Sequence, residues 1–426
     1  IEDEIPFEVP EGWSWARLRD ICMMSAGKSK STDQIKSEPF DGSYPCFGGN
    51  GVRGYVDEYN QDGTFSIIGR QGALCGNINI ASGKFYATEH AVVTTLFAGI
   101  DFKWSNYILE ALRLNNYATG AAQPGLSVAN ILNVFVPVPS NQEQDRIGSN
   151  VDEFLKIAAV LEQEKIDLQK IVITAKRKIL DLAIHGKLVP QDPNDEPASV
   201  LLERIRVEKE ELIKQGKIKR NKKESVIFKG DDNSYYEKIG DKIENIDDQI
   251  PFDLPQGWLW CRGYSCFEGM ESTKPQGEYF DYIDIDAIDN RNHCIKESKH
   301  LPVENAPSRA IRAVRKGSVL FSLVRPYLEN IAIVDEKHSN CIASTGFYIC
   351  NSNGVLLPEF MFFLMISGYV VNGLNQFMKG DNSPSISKGN IENWLYPVPP
   401  ANEQEAICNK LNTFSAIIVN IEKSLN

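Results

Sequence analysis

The side chains whose types and spacing could do chemistry lie on glycine-bounded loops. In the first half of the chain they are Asn50 and Arg53 in GGNGVRG, Arg70 and Gln71 in IIGRQG, Lys84, Thr88 and His90, then Gln123 and Ser127. In the second half they are Lys274, Arg325 and Tyr327, Ser344 and Thr345, then Lys379, Asn382, Ser383, Ser385 and Lys388. Amides, hydroxyls, guanidinium and ammonium groups on loops offer hydrogen bonds to base edges and to phosphates. That is recognition chemistry rather than bond making. Arg70 and Arg325 rank first because they fall at matching positions of an internal repeat. Each is either such a contact or a structural arginine tied to a carboxylate. His90 reads first as a structural histidine and second as a contact.

The groups that would make or break bonds are missing. No N-P-P-[YF] or D-P-P-Y motif holds a flipped base for amino methylation, and no G-x-x-x-x-G-K-[ST] loop serves an ATP motor. GGNGVRG has the glycines of a cofactor loop without a helical pattern after it. The five histidines are dispersed, and the nine cysteines contain no C-x-x-C pair, which predicts reduced thiols and no metal centre. Asp281, Asp284 and Asp286 form either a metal site on a strand or a solvated strand edge. The expectation is a non-catalytic binding protein with no cofactor of its own. A net charge of −12 predicts weak binding to nucleic acid by the chain alone. The charge is uneven, however: Arg309 to Arg325 holds five cations and no carboxylate, and Lys214 to Lys223 is also basic. No apolar run approaches the roughly 18 residues of a membrane span and no signal peptide is recognisable, so a cytoplasmic location is expected.

The elements that would position these loops come twice. IPFEVPEGWSWAR at Ile5 to Arg17 returns as IPFDLPQGWLWCR at Ile250 to Arg262, an offset of 245. GAAQPGLSVANILNVFVPVPSNQEQDRI from Gly120 returns as GDNSPSISKGNIENWLYPVPPANEQEAI from Gly380, an offset of 260. The weaker similarities between them pair Arg70 with Arg325 and Thr88 with Ser344, at offsets of 255 and 256. Offsets that rise steadily suit one ancestral unit with insertions. Matching edges imply a common scaffold, and differing interiors imply two versions of a reading surface. Strands are predicted at 65–68, 91–97, 282–285, 318–323 and 331–334, and short helices at 104–115 and 358–371.

Each unit ends in a proline-rich strand followed by a long helix. Ser140 and Glu143 suit a capping box at the first helix, and Asn402 and Glu405 substitute at the second. Val151, Phe154, Ala158, Leu161, Lys165, Leu168, Val172, Ala175, Ile179 and Leu182 alternate by threes and fours, as do Leu411, Phe414, Ile418, Ile421 and Leu425. Such heptad spacing predicts one helix–helix seam shared by both copies. The first helix should stop at His185–Gly186, and a second should run from Ala198 to Gly216. The predicted organisation is α+β: a first mixed α/β recognition domain at 1–140, helical spacer at 141–216, charged linker at 217–249, a second recognition domain at 250–400 and a terminal helical spacer at 401–426. The two domains form a tandem repeat separated by long antiparallel coiled-coil-like helices. Either truncation or a naturally short region accounts for the brevity of the last spacer.

The paired I-P-F-x-x-P-x-G-W-x-W segments, the paired P-V-P exits followed by Glu143–Gln144 and Glu403–Gln404, and HGKLVPQDPNDEPASVLLERI from His185 to Ile205 together resemble the specificity subunits of type I restriction-modification systems. The resemblance covers the whole chain. It implies that each globular unit is a target-recognition domain reading half of a split site in double-stranded DNA. It also implies two methylating subunits as partners, which bring S-adenosylmethionine, and restriction subunits that join them. Two other readings stay open: a coiled-coil scaffold carrying two protein-binding domains, and an enzyme with an unrecognised DNA-modifying site.

Overall fold

The computed structural model describes residues 7–72, 74–120, 124–217 and 224–425. It divides into two compact units, residues 1–164 and 165–426. The helix Asn141–Ile184 starts in the first and ends in the second.

In the first unit the strand Ser14–Arg17 pairs antiparallel with Phe135–Val138, placing Ser14 opposite Val138. The ends of the unit are thus tied together by backbone hydrogen bonds. Between them lies a six-stranded sheet in the spatial order Cys22–Ala26, Ala91–Leu96, Gln61–Gly69, Ile78–Ala87, Tyr44–Gly48 and Gly51–Val56. All neighbours are antiparallel except Tyr44–Gly48, which runs parallel to Ile78–Ala87. The β-branched run AVVTTL suits a strand packed on both faces, and Val92 and Val93 enter different cores. The helix Phe102–Ala111 covers one of these cores with Trp104 and Leu109, and Asp101 caps it by accepting from Trp104 N at 2.8 Å. A 3-10 turn, Leu114–Tyr117, takes up the rest of the predicted 104–115 helix.

The second unit repeats the scheme in its hydrogen bonds. Leu259–Arg262 pairs with Leu395–Val398, with Leu259 opposite Val398. The pairs Ser66–Thr94 and Ser66–Ile80 return as Val319–Cys350 and Val319–Ile333. The parallel pair Cys46–Tyr86 returns as Tyr282–Ile342. The single strand Ile78–Ala87 is here split into Ile331–Ile333 and Ile342–Ser344. The offsets therefore do not rise steadily: Cys46 matches Tyr282 at 236, below the 245 of the leading motif, because the first unit carries extra residues ahead of Tyr44. The predicted 358–371 helix is two, Pro358–Met365 and Gly368–Asn375. They are divided at Ser367, whose hydroxyl caps the second.

Within the predicted linker 217–249, residues 225–245 are folded. Ser225–Lys229, Tyr235–Ile239 and Lys242–Asn245 form a three-stranded antiparallel sheet. Charge dominates its composition, but its inward positions are apolar or paired. Ile227 and Ile246 are buried with Trp260 and Leu395. Buried Glu237 accepts from Arg262 Nη2 at 2.9 Å and from the Tyr264 hydroxyl at 2.9 Å.

The helical seam is shorter than the spacing predicts. Ala401–Leu425 has 25 residues against the 44 of Asn141–Ile184. It runs antiparallel to the last part of that helix, with Lys176–Glu422 at 2.7 Å near one end and Gln191 Nε2 donating to Glu403 Oε1 at 2.6 Å near the other. Val172, Ala183 and Ile184 are buried on one helix and Ile407, Cys408, Leu411 and Ile418 on the other, while Ala175, Ile179, Leu182, Phe414 and Leu425 are half-buried. Ile421 is exposed. Upstream, Val151 is half-buried, but Phe154 and Leu161 are 70% and 60% exposed, and Ala158, Lys165 and Leu168 are also exposed. The heptad pattern thus continues well past the stretch whose seam positions are buried. The helix stops as predicted at Gly186, φ +64, where a Cβ would lie 2.4 Å from Pro255 Cγ. Ala198–Lys214 follows.

Candidate nucleic-acid interface

One tryptophan–glutamate clamp holds each unit's frame. Trp13 Nε1 donates to Glu143 Oε2 at 3.1 Å, and Trp258 Nε1 donates to Glu403 Oε2 at 2.8 Å. Glu143 therefore serves the tryptophan of the leading motif rather than the predicted capping box, and at the second helix the predicted cap Asn402 instead donates its side-chain amide to Asp195 at 2.9 Å. The following glutamines are buried. Gln144 accepts from Asp101 N and donates to Pro139 O, and Gln404 accepts from Leu357 N and donates to Pro399 O. Each glutamine ties the start of a covering helix to the end of the closing strand. Arg17 Nη1 donates to Asn133 O at 2.6 Å, and Arg262 Nη1 donates to Asn393 O at 2.8 Å.

On this frame three loops of the first unit converge. Arg70 N donates to His90 O, Leu126 N to Arg70 O, and Gly72 N to Pro124 O, all at 2.9–3.0 Å. The hairpin tip at Gly48–Gly51 joins them: a Cβ at Gly69 would lie 2.0 Å from Gly49 O, so only glycine allows this approach. The result is an open cleft of about 470 Å³ lined by Gly48, Gly49, Asn50, Arg53, Gln71, Gly72, Leu74 and His90. Asn50 accepts from Asn77 Nδ2 at 3.0 Å and Arg53 Nη2 donates to Thr32 Oγ1 at 3.1 Å. His90 Nε2 lies 3.5 Å from Glu89 Oε1. Gln71 and Ser127 are exposed. Lys84 sits over the Tyr59 ring, 4.5 Å from its centroid, and a hydrogen bond with Tyr59 holds its ammonium above the ordinary lysine value. Gln123 lies outside the described residues.

The second unit brings the same backbone together with other side chains. Leu323 N donates to Gly346 O, Ile386 N to Leu323 O and Arg325 N to Pro384 O. These bonds correct the repeat alignment. Arg70 corresponds to Leu323, Gln71 to Val324, and Arg325 to Gly72, so the two arginines are not equivalent. Thr88 and Ser344 do correspond, but both are fully buried. Thr88 Oγ1 donates to Phe47 O at 2.9 Å and Ser344 Oγ accepts from Gly346 N at 3.2 Å. Neither hydroxyl is available to a ligand, which corrects their assignment as contacts. Thr345 is half-buried; Lys274, Tyr327, Lys379, Asn382 and Ser383 are exposed, and Ser385 is half-buried in a backbone pair with Lys379. Lys388 pairs with Glu392 at 3.1 Å. Asp281 faces His300 at 3.0 Å, and Lys299 lies 2.7 Å from Asp286 and 3.9 Å from Asp284. Among the described residues no group of three or more potential ligands could hold a metal ion.

The family model of the type I restriction modification DNA specificity domain matches residues 10–170. The EcoAI specificity subunit of Escherichia coli is 25% identical over 485 residues, covering 96% of this chain and 79% of that protein. The EcoEI specificity subunit of the same species is 23% identical, covering 100% and 81%. Residues 10–170 thus match that domain family, and nearly the whole chain is similar to type I specificity subunits. The EcoprrI specificity subunit of Escherichia coli is 47% identical over 140 residues, a match spanning 32% of this chain and only 34% of that relative's length. The HsdS subunit of Thermoanaerobacter tengcongensis is 35% identical with a TM-score of 0.39, over 41% of this chain and 46% of that one.

The five cations from Arg309 to Arg325 divide by use. Arg315 pairs with Glu268 at 2.7 Å and Lys316 with Glu336 at 2.8 Å. Arg325 Nη2 donates to Asn382 O at 2.8 Å. Arg309 is exposed, and its carbonyl accepts from Thr345 N at 2.9 Å. Arg312 is half-buried, with an Nε that has no hydrogen-bond partner. Among the described residues no helix is long and apolar enough to cross a membrane.

Proposed function

We propose that the chain is the specificity subunit of a type I restriction-modification complex and recognises a bipartite target in double-stranded DNA. One observation carries this reading: the two units present the same hydrogen-bonded loop frame with different side chains on it. Arg70, Gln71 and Gly72 in one stand where Leu323, Val324 and Arg325 stand in the other. A shared frame with exchanged side chains is what two readings of two half-sites require.

In this reading the chain is non-catalytic. Two methylating subunits, with S-adenosylmethionine bound to them, carry out the transfer, and restriction subunits join them. The chain's net charge of −12 leaves tight DNA binding to the assembly, since phosphate neutralisation by cations supplies most non-specific affinity. The test is to sequence base modifications in cells carrying this chain with its methylating partner. Methylation confined to one split motif is expected. Methylation without sequence preference, or unchanged when the chain is omitted, would sink the proposal, and methyl transfer by the purified chain alone would mark it as an enzyme.

A further inference from the structure

We infer that Arg325 is a positioning residue that pins the tip of the loop 379–385, and that this pin makes the second recognition surface stiffer than its loop frame alone would. The inference rests on the DNA-recognition reading for its consequence but not for its geometry. Both units close the corresponding segment with the same backbone pair. Thr119 and Gly125 exchange two backbone hydrogen bonds at 2.9 Å, and Lys379 and Ser385 exchange two at 3.0 Å. Gly120 and Gly380 both turn the chain at φ +99. The matching bonds Gly72 N to Pro124 O and Arg325 N to Pro384 O seat residues 72 and 325 against the same side of this loop.

At that seat the units differ. Gly72 has φ +94 and no side chain, while Arg325 has φ +48, a left-handed backbone that favours glycine. The Arg325 guanidinium reaches across the loop and donates to Asn382 O at 2.8 Å. The exposed tip around Asn382 and Ser383 is thereby cross-linked to the chain just beyond the strand Val319–Ser322. A charge-assisted bond to a carbonyl in an exposed loop tip removes freedom that the two backbone bonds at its base leave in place. Arg325 thus acts through Asn382, Ser383 and Lys379, and its own guanidinium is engaged before any ligand arrives.

The experiment uses the full chain with Arg325→Gly, which restores the residue of the matching seat, and Arg325→Lys. Hydrogen exchange at the Lys379 and Ser385 amides, which bond each other's carbonyls at 3.0 Å, should rise about tenfold in Arg325→Gly, the factor that losing one charge-assisted hydrogen bond gives in a local opening equilibrium. Exchange elsewhere should stay unchanged, and Arg325→Lys should recover part of the protection. In the complex with its methylating partner, Arg325→Gly should relax discrimination at more than one base pair of one half-site. Unchanged exchange at the Lys379 and Ser385 amides would overturn the pin whatever the DNA result. Relaxation confined to a single base pair would overturn it in favour of direct base reading. If the parent complex shows no sequence preference at all, the recognition reading fails while the exchange result still decides the pin.

Discussion

Trp258 Nε1 donates to Glu403 Oε2 at 2.8 Å, joining residues 145 positions apart, and both side chains are buried. The same bond between Trp13 and Glu143 is 3.1 Å long and half-exposed. Hydrogen bonds to charged groups are worth about 1.5–3 kcal/mol, and more of that is lost where water cannot replace the donor. Trp258→Phe should therefore cost about 2 kcal/mol, and Trp13→Phe clearly less. Urea unfolding of the two variants checks the order; equal losses would mean that the second clamp is not the load on its unit's closure.

Gln404 is bound at both ends, with Leu357 N on its oxygen and Pro399 O and Val355 O on its nitrogen. Gln404→Ala strands a buried amide and two carbonyls. A loss of about 2–4 kcal/mol is expected, since each unsatisfied buried group costs about 1–3 kcal/mol. Gln144→Ala, with bonds to Asp101 N and Pro139 O, should follow in the same direction by a smaller amount.

Glu237 and Arg262 set an acid limit on the second unit. Burial raises the Glu237 carboxyl, but hydrogen bonds from Arg262, Ser225 and Tyr264 and the guanidinium charge outweigh it, leaving the group below the ordinary glutamate value. A depressed folded value means stability that is present above the unfolded value of about 4.3 and lost as pH falls through the folded one. Glu237→Gln should remove that acid dependence and cost about 3 kcal/mol at neutral pH, as expected for breaking a buried pair. Parallel melting curves for parent and variant below about pH 4 would refute the assignment.

The limited seam separates two sets of heptad positions. Ile418→Glu puts a charge into a buried position and should lower stability by at least about 2 kcal/mol. Phe154→Glu and Leu161→Glu fall on exposed positions and should stay within about 0.5 kcal/mol. Circular dichroism melts of the three variants test this, and a large loss at Phe154 would show that the exposed stretch is covered in solution.

The shared frame predicts modular recognition. Replacing residues 20–119 with the equivalent of another family member should change one half of the methylated motif and leave the other intact. Arg70→Ala should weaken discrimination by about 1–3 kcal/mol at one position if it contacts a base, and evenly across sequences if it contacts a phosphate. A change in both halves after the swap would show that the two surfaces do not read independently.

Much of the architecture was legible in the sequence because it is local or repeated. The tryptophan motifs, the proline-rich exits and the Glu–Gln pairs come twice, and helix 141–184 shows its period within its own residues. The strands at 91–96 and 331–333 are short β-branched runs whose propensity needs no distant partner. The features that the sequence hid are long-range. Arg325 belongs with Gly72 rather than Arg70 because the hydrogen bonds to Pro384 and Pro124 say so, and insertions shift a sequence alignment without shifting a ladder. Thr88 and Ser344 have the polarity of surface contacts but are buried against strands distant in sequence. Residues 225–245 look like a charged linker until Trp260 covers Ile227 and Arg262 neutralises Glu237. Composition records how polar a segment is; burial depends on which partners the rest of the chain brings to it.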